Sequence, residues 1–273
     1  MENIEKSTVL NKIKSKIAKV HEKYENSTLS VYIQGPNKKK RPSHFGSAFI
    51  LKHEEFKYIV TARHLTENVA EGDELYFLTK LGAFFSLNSV KSEDDFEIID
   101  ADIDYHVIRI ENELLDIPAI LCNEESVESP YDLTLSIGYP ISKNKTRVDR
   151  ENRKAGMTTL RLTLTEMPSN EDLLLPKFID HFALPWEDQL DEDFQPIQSI
   201  EIQGMSGGPC LYVPFSTKDI VEDVDPFEGV KLIGLLIEKH DDFVKYVRIN
   251  TILKHISSKN QTSKKFEKLR NEV

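Results

Sequence analysis

The chain has 273 residues, 39% of them hydrophobic, and its 14 Phe and 9 Tyr supply enough apolar mass for a packed core, which excludes a disordered chain. Its 46 acidic and 35 basic side chains leave a formal charge of −11, which argues against nucleic acid or an anionic membrane surface as the main partner. Two cysteines, Cys122 and Cys210, cannot build a disulfide framework, and no apolar run approaches the roughly 18 residues of a membrane span. The opening Met1-Glu2-Asn3-Ile4-Glu5-Lys6 lacks the basic and apolar blocks of a signal peptide, so a cytoplasmic protein is expected. There is no Cys-x-x-Cys and no His-Glu-x-x-His, so neither a metal nor a cofactor is expected.

Ile4, Leu10, Ile13, Ile17, Val20 and Tyr24 recur at three- and four-residue steps among Lys and Glu, which predicts an amphipathic helix over 4–25. It serves either as a strut on the body of the protein or as a docking helix for a partner. A first strand is predicted over 29–34, followed by an exposed loop at Lys38-Lys39-Lys40-Arg41-Pro42. Short β runs follow at 45–51, 56–62, 74–79, 83–90, 96–100 and 105–110, then a strand from Leu133 towards Pro140. Residues 142–155 read as a long polar loop and 157–167 as a strand of alternating Thr and Leu. The acidic segments 187–195 and 219–228 read as solvated loops, which would favour basic peptides if both fringe a cleft. From Ile249 the chain turns helical and is expected to end in a basic, frayed stretch over 257–273.

Three stretches carry chemistry. Gln203-Gly204-Met205-Ser206-Gly207-Gly208-Pro209-Cys210 presents a serine hydroxyl on a turn whose glycines clear space for an incoming carbonyl. The N–H groups of Gly204 and Ser206 are candidates for an oxyanion hole. Tyr58-Ile59-Val60-Thr61-Ala62-Arg63-His64 delivers an imidazole at the end of a β-branched run. Asp102-Ile103-Asp104-Tyr105-His106-Val107-Ile108-Arg109-Ile110 places acids at the mouth of another strand, and alternation puts Asp102 and Asp104 on one face.

Thr-Ala-Arg-His, Asp-Tyr-His-Val-Ile-Arg-Ile and Gly-Met-Ser-Gly-Gly-Pro, in the order His, Asp, Ser, resemble the active-site blocks of trypsin-like (chymotrypsin-fold) serine peptidases, closest to the bacterial HtrA-like branch. Gly46-Ser47-Ala48-Phe49-Ile50-Leu51 and Leu232-Ile233-Gly234-Leu235-Leu236-Ile237 resemble the strands before the histidine and after the serine. The resemblance, over about 28–256, implies an all-β fold of two six-stranded antiparallel barrels flanked by an N-terminal amphipathic helix and a C-terminal helix. The implied division is a helical extension over 1–27, a peptidase domain over 28–256 with barrels at about 28–120 and 125–256, and the tail over 257–273. It implies a serine endopeptidase in which Ser206 attacks the scissile carbonyl, His64 moves the proton and Asp104 supports the imidazolium. Asp104 fits the family block better than Asp102, which remains the competing acid.

Met205 stands where zymogen-activated relatives carry an aspartate, so that switch is absent and control by a regulatory protein partner is the expectation. By alignment, Ile200 would floor the pocket for the substrate side chain, with Ile237 and Lys239 along its wall. An apolar floor argues against a basic side chain there, while Lys239 in place of a glycine would narrow the pocket. No module of the PDZ type is expected after residue 256. Two other readings compete. One is a protease fold that has lost turnover and serves as a binding module or scaffold. The other takes Gly204-x-Ser206-x-Gly208 as the elbow of an α/β-hydrolase esterase. The second needs an acid and a histidine after the serine; His240 and His255 exist, but residues 209–214 read as a strand and alternating βαβ units are missing.

Overall fold

A computed structural model describes residues 2–36, 42–67, 69–92, 96–110, 116–122, 133–141, 144, 148–149, 154–155, 159–164, 180–185, 189–190, 202–215, 224–240 and 243–271. The predicted N-terminal stripe forms helix α1 (Glu2–Glu25). Ile17 and Val20 are buried, with Ile13 and Tyr24 packed beside them, so the stripe from Ile13 onwards is spent on the protein's own core, while Leu10 is exposed. At the end of α1, the buried Glu25 takes a hydrogen bond from Thr159 Oγ1 at 2.8 Å and pairs with Lys80, tying the helix to a turn on either side.

The first sheet is built from β1 (Thr28–Gln34), β2 (Ser43–His53), β3 (Phe56–Thr61), β4 (Glu74–Thr79), β5 (Phe84–Ser86), β6 (Glu97–Asp100), β7 (Tyr105–Ile110) and β8 (Ile120–Leu121). Its order is β5-β4-β1-β2-β3-β7-β6, antiparallel throughout, with β8 lying parallel beside β2. After β3 the chain makes the short helix α2 (Arg63–Glu67). The second sheet runs β13-β17-β16-β15-β9-β12-β14, from β9 (Leu133–Gly138), β12 (Leu160–Leu164), β13 (His181–Pro185), β14 (Gln189–Leu190), β15 (Pro209–Val213), β16 (Lys231–Lys239) and β17 (Phe243–Arg248). A separate ribbon joins β10 (Val148–Asp149) to β11 (Lys154–Ala155), and helix α3 (Ile249–Asn271) closes the described chain.

Alternation along the strands sorts side chains into distinct cores. In β2, Ala48 and Ile50 join Leu29, Val31 and Phe77 on one face, while Phe49 and Leu51 on the other meet Leu135, Ile137 and Leu211 of the second sheet. A third cluster holds Phe182, Met205, Cys210, Leu236 and Tyr246 within the second sheet. The middle cluster also receives Ile17 and Val20 of α1 and Ile252 and Ile256 of α3, so both helices brace the junction of the sheets.

The protein is thus mostly β, with two antiparallel sheets and terminal helices, as expected. The sheets differ from the expected six-stranded barrels. They hold eight and seven strands, and among the described residues their end strands do not pair with each other, so neither closes. The run 83–90 is a strand only at Phe84–Ser86 and then a 3-10 turn over Leu87–Ser89. Ser89 Oγ donates to Ser86 O at 2.7 Å, and this local bond competes with the ladder. The segment expected as a frayed tail from 257 continues α3 to Asn271, because the buried Asn260 anchors it to Tyr58 and Arg109. Among the described residues no helix is long and apolar enough to cross a membrane. Most of the acidic stretches 187–195 and 219–228 lies outside the described residues.

Candidate active site

The turn before β15 is shaped by its glycines. Gly204 and Gly207 adopt φ of +95° and +89°, backbone that side chains with a Cβ rarely enter. At Gly204 a Cβ would lie 2.8 Å from Tyr139 O, and at Gly207 only 1.9 Å from Ser47 O, so close approach excludes any other residue as firmly as the dihedral does. Within the turn, Met205 N–H donates to Ile202 O at 2.8 Å, Gly208 N–H to Met205 O at 3.0 Å and Gly207 N–H to Leu236 O at 2.7 Å. Among the described residues, the N–H groups of Gly204 and Ser206 have no backbone acceptor. Met205 is fully buried among Phe182, Ile202, Leu236 and Tyr246, anchoring the turn through apolar contact, while Ser206 stays partly exposed.

Sheet one supplies the seat for this turn. Ser47 N–H donates to Ser206 O at 2.8 Å, Ser47 Oγ donates to Gly204 O at 2.8 Å, and Tyr139 N–H donates to the same Oγ at 2.9 Å. Thr61 Oγ1 in turn donates to Ser47 O at 2.8 Å and stands 2.6 Å from where a Gly207 Cβ would be. Thr61 is the last residue of β3, and His64 follows three positions on, inside α2. The strands β2 and β3 that seat the serine turn thus also lead into the helix that carries the histidine.

Asp104 grips His64 twice. Its Oδ1 accepts the His64 backbone N–H at 2.9 Å, and its Oδ2 accepts His64 Nδ1–H at 2.8 Å. The second bond puts the proton of neutral imidazole on Nδ1 and leaves Nε2 as a lone-pair base. Asp104 has φ of +69°, a left-handed conformation that costs on the order of 1 kcal/mol and that Asp tolerates better than most residues. It is held there by Asp104 N–H donating to Asp100 O at 3.1 Å, and by Asp100 Oδ1 accepting from Asp102 N–H at 3.1 Å and Ile103 N–H at 3.0 Å. Residues 101–104 are thus a turn, not a strand, so the alternation expected to place Asp102 and Asp104 together does not apply. Asp102 is exposed, and Asp104 is the carboxylate that reaches the imidazole.

The expected pocket residues are less united. Ile200 lies outside the described residues. Ile237 sits at a bulge of β16 between Leu236 and Glu238, with its side chain in the core between the sheets at 1% exposure, which removes it from an open pocket wall. Lys239 is exposed at the end of β16, paired in register with Val244. A cavity of about 330 Å³ lies behind α2, lined by Arg63, Thr66, Val69, Leu75, Ile99 and His106. Glu97 also lines it and is pulled down to about 2 by its hydrogen bond from His106, whose Nδ1 shares a 2.9 Å bond with Thr66 Oγ1.

Sequence reasoning overlooked Ser47, Thr61 and His181. The first two lie in the quoted runs Gly46-Ser47-Ala48 and Val60-Thr61-Ala62, where a hydroxyl inside an apolar strand was the available signal, since a buried hydroxyl needs a partner. His181 carried no such signal. Among the described residues no cluster of His, Cys, Asp or Glu could hold a metal ion, and the two cysteines are buried free thiols, burial pushing that of Cys210 up to about 12. No protein-family model matches the chain, and no curated protein matches it.

Proposed function

We propose that this chain is a serine endopeptidase with a chymotrypsin-like fold, acting through Ser206, His64 and Asp104. The observation that carries the reading is the two-point grip of Asp104 on His64, with Nδ1 to Oδ2 at 2.8 Å, three residues beyond Thr61 of the strand pair that seats the Ser206 turn. In this mechanism Ser206 Oγ attacks the scissile carbonyl and His64 Nε2 takes its proton. Asp104 stabilises the imidazolium, which then protonates the leaving amine; water enters by the reverse route to release the acyl-enzyme. The N–H groups of Gly204 and Ser206 receive the oxyanion, a contribution worth roughly 3–4 kcal/mol per donor. No cofactor or metal is required. The substrate is a peptide or protein. Because Met205 anchors its turn by burial instead of by a salt bridge to a new N-terminus, control falls to a partner protein.

The two sheets, each with an apolar cluster of its own and a third between them, are read here as open counterparts of the two barrels of that fold, with the reacting groups at their junction. A fluorophosphonate probe at pH 8 tests the activity. Labelling of the wild type that is lost in Ser206→Ala supports a peptidase; an unlabelled wild type overturns it in favour of a scaffold. The α/β-hydrolase reading is disfavoured by β15, an antiparallel strand that starts where that elbow needs a helix.

A further inference from the structure

The turn that carries Asp104 is held from the other sheet. His181, the first residue of β13, places Nε2 3.0 Å from the carbonyl oxygen of Ile103, the residue immediately before Asp104. A carbonyl can only accept, so the proton of neutral His181 sits on Nε2. The imidazole is 7% exposed, and burial holds its pKa below the ordinary value, which keeps it in the neutral form. The residue before it is fixed as well. Asp180 O accepts Arg248 N–H at 2.8 Å, and Asp180 Oδ1 accepts Thr251 Oγ1–H at 2.9 Å, from the first turn of α3. Three hydrogen-bonded contacts, joined by the peptide links Asp180–His181 and Ile103–Asp104, thus run from α3 to His64.

We infer that His181 is a positioning residue for the acid: its Nε2–H, presented by the second sheet, pins the Ile103 carbonyl and thereby aims the Asp104 carboxylate at His64. The inference rests on the peptidase reading for its effect on rate, but the alignment of the pair is a property of the protein whether or not it turns over substrate. Asp104 stands in a left-handed conformation held by the bonds within its own turn, and His181 adds a hold from the second sheet on the carbonyl of the peptide before it. The bond from His181 to Ile103 and the Ser47 seat both join the two sheets, one at the Asp104 turn and the other at the serine turn.

The test compares His181→Phe, which fills the space without a donor, with His181→Gln, whose amide returns an N–H near the position of Nε2. Both are made in the wild type and in Asp104→Asn, after circular dichroism has shown each variant folded. The expected result is fluorophosphonate labelling roughly ten- to a hundredfold slower in His181→Phe, as for a misplaced reacting group. Gln should recover much of the rate, and no further loss should appear once Asp104 is already Asn. Equal labelling of wild type and His181→Phe, or the same loss in both backgrounds, overturns the inference and leaves the peptidase reading standing. If the wild type is not labelled, the peptidase reading fails. The inference is then judged by the proton resonance of His64 Nδ1–H, which must move or vanish in His181→Phe and return in His181→Gln; an unmoved resonance overturns it.

Discussion

Gly207 has no room for a side chain. Alanine there would set its Cβ 1.9 Å from Ser47 O, a backbone atom that can retreat only by pulling β2 from its register, and would also strain a φ of +89°. Gly207→Ala is therefore expected to cost about 3 kcal/mol or more in stability, read as a drop in the urea midpoint at unchanged slope. Asp104 makes the opposite case. Asn tolerates the same left-handed backbone, so Asp104→Asn should keep the fold while its amide favours the wrong histidine tautomer. Under the proposed peptidase mechanism the expected loss is about 10⁴-fold in kcat, with a melting temperature close to that of the wild type. Asp102→Asn, two residues away, exposed and outside the grip on His64, should stay within about twofold of the wild type. The opposite pattern, a large loss in Asp102→Asn with Asp104→Asn near the wild type, would reverse the assignment of the acid.

Helix α3 shows how one element is fixed by contacts its own sequence does not announce. Arg109 of β7 lies between two rings, its guanidinium 4.0 Å from the centre of Phe56 and 4.1 Å from that of Phe96. Arg109 Nη2 donates to Asn260 Oδ1, and Asn260 Nδ2 donates to Tyr58 Oη at 3.1 Å. Asn260→Ala removes both bonds in a buried setting and should cost about 1–3 kcal/mol in denaturant unfolding. In Tyr58→Phe the same substitution should cost less, because the two groups share one bond. These links explain why the tail was misread. Lys and Ser after Ile256 carry no apolar period, and what orders the helix there is polar and about 200 residues distant in sequence, the Asn260 to Tyr58 separation being 202. The strands at 74–79 and 105–110 were legible because alternation and β-branching act locally. The run 83–90 failed at Ser86, where a hydroxyl-to-backbone bond outcompetes the pattern. The parallel pairing of β8 with β2 has no local signature at all.

At the scale of the whole molecule, the order His, Asp, Ser was readable, but the joint that seats the serine turn was not, because Ser47 and Ser206 meet across 159 positions of chain and only folding decides which strands are neighbours. That joint also places neutral histidines where the fold cannot accept their charge. His44, on β2 close to the serine seat, donates from Nε2 to Gly46 O at 3.0 Å, and burial pushes its pKa down to about 4; His181 is lowered for the same reason. The unfolded chain binds these protons near the ordinary value of about 6.5, so between there and pH 4 it holds more protons than the folded protein. Stability from these groups is therefore complete above about pH 6.5 and is lost as the pH falls towards 4. For His44 alone the loss between pH 7 and pH 5 should be roughly 2 kcal/mol. His44→Phe keeps an aromatic ring beside Tyr32, whose centre lies 5.3 Å from that of the imidazole, and removes the titration. Urea unfolding at pH 7 and pH 5 should show a smaller difference for the variant than for the wild type by about that amount; an equal difference in the two proteins would mean that His44 accepts its proton without strain and that acid sensitivity arises elsewhere in the joint.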